Sequence, residues 1–78
     1  MKPIIDLRGI CCPSNYFRAR LALDGVDLGQ CAQILLDDGE PVRNVPRLLK
    51  SDGHRLIGLK EIREGCFLLE VEKAEADK

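Results

Sequence analysis

Ile4-Ile5-Asp6-Leu7-Arg8-Gly9-Ile10-Cys11-Cys12-Pro13 is the stretch on which the fold reading turns, because the chain changes its period within it. Ile4-Ile5-Asp6-Leu7 is a short apolar run with β-branched residues, closed by Gly9, and this suits a strand. Pro13 suits a first helical turn, where a missing N–H is no loss. From Pro13 to Asp24 the apolar residues Tyr16, Ala19, Ala22 and Leu23 follow helical spacing, while Arg18, Arg20 and Asp24 point away. A strand therefore hands over to a helix across the paired cysteines.

Downstream, Gly25 and Gly29 bracket a loop, and Cys31-Ala32-Gln33-Ile34-Leu35-Leu36-Asp37 is apolar enough along its length to be a central strand. Asp37-Asp38-Gly39 ends it, the acidic pair being read as strand termination and helix capping ahead of a metal or general-base site. Val42, Val45, Leu48 and Leu49 form a second helical stripe that stops at Gly53. Asp38 and Asn44 compete as N-caps, and Pro46 favours the later start, since proline inside a helix costs about 3 kcal/mol. Arg55 to Ile62 and Cys66 to Glu72 then read as two strands around Arg63-Glu64-Gly65, with glycine supplying the awkward backbone angle.

The order β-α-β-α-β-β predicts an α+β fold, a two-layer α/β sandwich in which a four-stranded mixed sheet carries two helices on one face. Helices joining parallel strands are expected to cross right-handedly, and the other sheet face to be partly solvated or used for contacts. With 78 residues, there is enough chain for one core. One domain is expected over residues 1–73, followed by a frayed charged tail over 74–78, the fraying reaching back to Lys73.

Bulk composition narrows the function classes. Apolar residues make up 45% and charged ones 32%, an ordinary globular balance. A net charge of −1 and a pI of about 5.8 lack the basic surplus behind most nucleic-acid affinity, so no direct nucleic-acid binding is expected. No segment approaches the roughly 20 apolar residues of a membrane span, and the N-terminal residues have no apolar stretch of signal-peptide length. A cytoplasmic protein without a membrane partner is expected. Four cysteines there read as free thiols or ligands before they read as disulphides.

Among these, Cys12 immediately precedes Pro13, so its sulphur is expected near a helix N-terminus, where unsatisfied N–H groups and about half a positive charge favour a nucleophilic thiolate. On spacing alone, burial as a small hydrophobe is an equal alternative.

Asp6-Leu7-Arg8-Gly9-Ile10-Cys11-Cys12-Pro13 resembles the signature of the TusA (SirA-like) sulphur-carrier family, in which a strand ending in Asp and Gly leads to a Cys-Pro-x-Pro helix start. Asp37-Asp38, followed after six residues by Val45-Pro46, and Gly53-His54 before the third strand extend the resemblance to roughly Ile4–Lys73. The resemblance implies the same two-layer fold. It also implies that Cys12 accepts sulphane sulphur from a cysteine desulphurase or rhodanese-type protein, holds it as a persulphide and passes it to a protein acceptor, with no organic cofactor and no metal. Known members feed tRNA thiolation or sulphur metabolism. The chain departs from the pattern at Asn15, where the second proline would stand, and at Ser14, Cys11 and Asn44.

Supporting roles attach to the neighbours of Cys12. Asp6 and Arg8 orient the Cys12 loop or form a solvated ion pair. Cys11 either resolves a persulphide or packs inward, and packing is the better reading because adjacent cysteines close only a strained ring. His54 is a proton donor or, more simply, a loop residue bonded to backbone. Cys31 and Cys66 are expected in the core, and the cysteine spacings do not match structural zinc patterns. Arg18, Arg20, Arg43, Arg47 and Lys50 form a solvated or acidic-partner face. Two other functions compete with the carrier: a non-catalytic regulatory or protein-binding module of the same fold, and a redox sensor using Cys11 and Cys12. A monomer or weak oligomer is expected.

Overall fold

A computed structural model describes residues 4–11 and 13–74. The expected element order holds: β1 (Ile4–Asp6), α1 (Ser14–Asp24), β2 (Cys31–Asp37), α2 (Glu40–Ser51), β3 (Arg55–Arg63) and β4 (Cys66–Glu72). The strands lie in the order β1-β2-β4-β3, with β1 and β2 parallel and β4 antiparallel to both its neighbours. β3 thus runs parallel to β2, and β4 fills the gap between them.

One face of this mixed sheet carries the core. Ala32, Ile34 and Leu36 alternate along β2 with half-buried residues, the period-two pattern of a strand covered on one side. They meet Leu69 and Val71 from β4, Ala19 and Leu23 from α1, and Val45 and Leu49 from α2 in one apolar cluster that also takes Leu7. Burying each large side chain contributes about 1.5–3 kcal/mol.

β3 is an edge strand and is exposed throughout. Its nine residues oppose seven of β4 because register shifts fall between Leu56 and Gly58 and between Glu61 and Arg63, leaving Ile57 and Ile62 unpaired. Such bulges twist an edge away from intermolecular pairing. The β3–β4 turn needs a residue at positive φ, and Gly65, at 76°, supplies it.

Two expectations are corrected. α2 begins at Glu40 with Gly39 as N-cap, so neither Asp38 nor Asn44 caps it, and Pro46 lies inside the helix. The proline removes the N–H that would bond the Val42 carbonyl, but it is buried beside Val45, and this packing offsets the local cost. The C-terminal end matches: Gly53 N–H donates to Lys50 O (2.9 Å) and His54 N–H to Leu49 O (3.2 Å), a Schellman arrangement.

The end of the described chain is tied down as well, unlike the frayed tail expected from its charge. Lys73 N–H donates to Gln30 O (2.8 Å), and its own carbonyl accepts from Gly29 N–H (2.9 Å). Lys73 Nζ donates to Leu23 O (2.6 Å) and Val26 O (3.2 Å), placing an ammonium at the C-terminal end of α1. Ala74 is held by its own hydrogen bond to His54, and the rest of the expected tail, 75–78, lies outside the described residues. No helix among the described residues is long and apolar enough to cross a membrane.

Candidate thiol site at the start of the first helix

β1 ends at Asp6, whose carboxylate is clasped by Arg8 three times: by its backbone N–H (3.1 Å), Nε (2.8 Å) and Nη2 (2.7 Å). These hydrogen bonds hold the Asp6 carboxyl at about 2, well under the usual carboxylate range, and push the Arg8 guanidinium further up. Between them Leu7 turns inward to the core, and its N–H continues the pairing to Leu35 O (3.0 Å). The backbone at Arg8 is thereby fixed from both sides.

Gly9 follows at φ 79°, a conformation other residues rarely adopt, and its N–H donates to Asp37 Oδ2 at 2.6 Å. Asp37 ends β2 and so ties the loop after β1 to the neighbouring strand. Its companion Asp38 bonds the Gly39 N–H (2.8 Å) without capping α2. Ile10 then packs against the core, its N–H on Leu7 O (3.3 Å).

Cys11 is exposed, correcting the expectation that it packs inward: it ends a loop whose apolar anchors are Leu7 and Ile10, and no strand face is left to receive it. Its carbonyl accepts the Asn15 N–H (3.1 Å), and Pro13 is the N-cap of α1, with its carbonyl accepting the Phe17 N–H (3.1 Å). Cys12 lies between them and outside the described residues. The described loop thus brings Asp6, Arg8, Gly9, Cys11 and Pro13 to one corner, at the C-terminal ends of β1 and β2.

His54 belongs elsewhere. It precedes β3, parallel to β1 and β2, so it lies at the opposite end of the sheet from the Gly9–Pro13 loop. There its Nδ1 accepts the Ala74 N–H (3.2 Å), in keeping with the simpler backbone-bonded reading. Burial pushes its pKa down, against the pull of Asp52. Cys66 is buried as expected, while Cys31 is only half-buried.

Two residues at the site were not anticipated from the sequence. Asp37 reads as strand termination and as part of the family resemblance, and nothing in the sequence marks it as the acceptor of the Gly9 N–H. Asn15 is fully buried, on a stripe with Ala19 and Leu23 that α1 turns toward the core. The spacing of four residues is a signal for it, but a polar residue breaks the apolar pattern, which places Tyr16 on the stripe instead. Tyr16 is instead half-buried, donating its hydroxyl to Asp52 Oδ2 (2.5 Å) under the Arg20 guanidinium, 5.8 Å from the ring centre. That bond raises the Tyr16 pKa and links α1 to the end of α2.

What the corner offers chemically is a thiol in sequence between an exposed loop residue and a helix start, beside a fixed guanidinium–carboxylate pair. The sequence model of the family described as Sulfurtransferase TusA matches residues 4–73, the span that builds the whole sheet and this corner. A protein of Archaeoglobus fulgidus named "Putative sulfur carrier protein" is 32% identical over 63 residues, covering 81% of this chain and 82% of its own. Another of the same name and organism is 26% identical over 70 residues, covering 90% and 80%. With the fold, the Cys-Pro helix start and a match over nearly its full length, the chain belongs to the sulfurtransferase TusA family of sulphur carriers.

Proposed function

We propose that the protein carries sulphane sulphur as a persulphide on Cys12, loaded by a cysteine desulphurase or rhodanese-type protein and unloaded onto a protein acceptor. The observation that supports this most is the family match across residues 4–73, which includes Cys12-Pro13. The loop that leads to Cys12 is held by the Asp6–Arg8 pair and by Asp37 on the Gly9 N–H, and Cys11 beside it in sequence is exposed.

Both steps are displacements at sulphur. In loading, the Cys12 thiol gives up its proton and the thiolate attacks the outer sulphur of the donor's persulphide. The new S–S bond forms on Cys12, the donor's S–S bond breaks, and the electron pair leaves on the donor thiolate. In unloading, the acceptor's nucleophile attacks the outer sulphur of Cys12, and Cys12 leaves as a thiolate. No net oxidation occurs, so neither step calls for an organic cofactor or a metal. A helix N-terminus favours the thiolate that enters the first step and leaves in the second. The reading places the protein in a reducing compartment, where the thiol persists.

Intact-mass measurement after incubation with a cysteine desulphurase and cysteine tests the proposal. A gain of about 32 Da, one sulphur, is expected on the wild type and on Cys11→Ser and is lost with Cys12→Ser. A gain that survives Cys12→Ser refutes the assignment. A requirement for both thiols points instead to the Cys11–Cys12 redox pair.

A further inference from the structure

α1 is apolar on two opposite sides. Asn15, Ala19 and Leu23 face the core, and across the helix from them Phe17 and Leu21, one turn apart, stand 52% and 72% exposed. Leu21 is the most exposed large apolar side chain among the described residues. Apolar residues scattered singly over a surface are ordinary, but a pair at this spacing forms one continuous strip, and a helix apolar on both sides is the kind that is covered on both. Phe17 and Leu21 share a shallow groove with Arg20 and Asp24, which are also one turn apart and lie on one flank of the strip. The Arg20 guanidinium is steadied by the Tyr16 ring and by Asp52, 3.8 Å away, while its side chain stays 56% exposed. Asp24 is in no ion pair among the described residues.

We propose that this face of α1 takes a second copy of the chain, in a weak dimer whose two α1 helices pack antiparallel about a twofold axis. The charges select this occupant. The groove holds one charge of each sign in fixed order, Arg20 before Asp24, so a partner surface of uniform sign is repelled at one of them. A twofold axis reverses that order in the mate and keeps each flank facing its like. Arg20 of each protomer then stands opposite Asp24 of the other, with Leu21 against Leu21 between the two pairs. The same reversal opposes the two helix dipoles. The eleven-residue helix is about 16 Å long, and one such face stays well short of the ~800 Å² per partner of a standard interface. A dissociation constant on the order of 100 µM is therefore expected, and the face is open in dilute solution. The contact uses no cysteine, so it stands or falls apart from the carrier reading.

Sedimentation velocity on the full chain, in reducing buffer from about 10 µM to about 1 mM, tests the proposal, with circular dichroism confirming that each variant folds. The wild type is expected to shift from monomer to dimer across this range. Leu21→Lys, at an exposed position, is expected to weaken association about tenfold or more. Arg20→Asp and Asp24→Arg each bring like charges together and are expected to weaken it as much, yet an equimolar mixture of the two regains both ion pairs and should associate again. So should the double variant Arg20→Asp/Asp24→Arg, which keeps the wild-type net charge of −1 and so separates the pairing from bulk attraction. A wild type that stays monomeric at the top of the range overturns the proposal, as does undiminished association of Leu21→Lys or failure of the mixture and the double variant to recover. Binding of a sulphur-donor protein to this face without any self-association also overturns it, and makes the face a docking site for that partner instead.

Discussion

Replacing Lys73 by methionine keeps the length of the side chain and removes its charge and three donors. In the folded protein Nζ donates to Leu23 O at 2.6 Å, in the last turn of α1, where that oxygen also accepts the Val26 N–H (3.0 Å), and to Val26 O at 3.2 Å, just past the helix end. A hydrogen bond from a charged donor contributes about 1.5–3 kcal/mol and a cation at a helix C-terminus about 0.3–1 kcal/mol. Lys73 is only partly buried and one contact is long, so the lower ends apply, and Lys73→Met is expected to cost about 2 kcal/mol. For a domain of this size, each kcal/mol is about 4–8 °C in Tm, giving a loss of about 8–16 °C. Thermal unfolding followed by circular dichroism, with urea midpoints as a check, measures it. A change below about 0.5 kcal/mol, the level of an ordinary surface substitution, would refute the view that this lysine staples α1 to the chain's end. Deleting the chain from Lys73 onward should cost more, because the main-chain pairing with Gln30 and Gly29 goes too.

Other perturbations probe the site and the far end of the sheet. Asp37→Ala removes the acceptor of the 2.6 Å bond from Gly9 and is expected to cost about 1–2 kcal/mol and slow sulphur loading of Cys12, while Asp37→Asn retains an acceptor and loses less of both; equal effects in urea unfolding and mass-monitored loading would contradict this. His54, the single histidine, has its pKa lowered by burial, with Asp52 and Asp24 opposing that shift and Lys73 adding to it. Because the folded state resists protonation, the unfolded chain takes up a proton first as pH falls through about 6.5. Stability is therefore full above that pH, declines down to the lowered folded pKa and levels off below it. Urea midpoints between pH 5 and 8 should show this slope, and His54→Gln should flatten it.

How much of this was legible in the sequence depended on distance along the chain. β2 and β4 matched residue for residue, because a covered strand bounded by turn residues leaves little freedom in where it ends. The start of α2 is not legible locally, because Pro46 signals a later helix start and its compensation is tertiary packing. At the site, Asp6, Arg8, Gly9 and Pro13 sit within eight residues of one another and could be read together. Asp37 could not, since its partner is 28 residues away, and the Lys73 contact to Leu23 spans 50. His54 followed the family's motif in order along the chain, but order does not say at which end of a sheet a residue emerges. Asn15 was missed for a different reason: a polar residue on a core stripe violates the pattern used to find the stripe, and such violations tend to mark function.

The position of β4 carries a consequence for how the chain comes into being. The strand inserted between β2 and β3 follows both of them in the chain, so during synthesis β3 has no neighbour in this sheet until Cys66–Glu72 has emerged. Pairings of long sequence separation form slowly, and here they complete the core all at once. The loop around the cysteines, which precedes every strand but β1, gains its Asp37 tether on a sheet that closes only once β4 is in place. A chain cut before Cys66 would therefore present its cysteines without the completed sheet behind them.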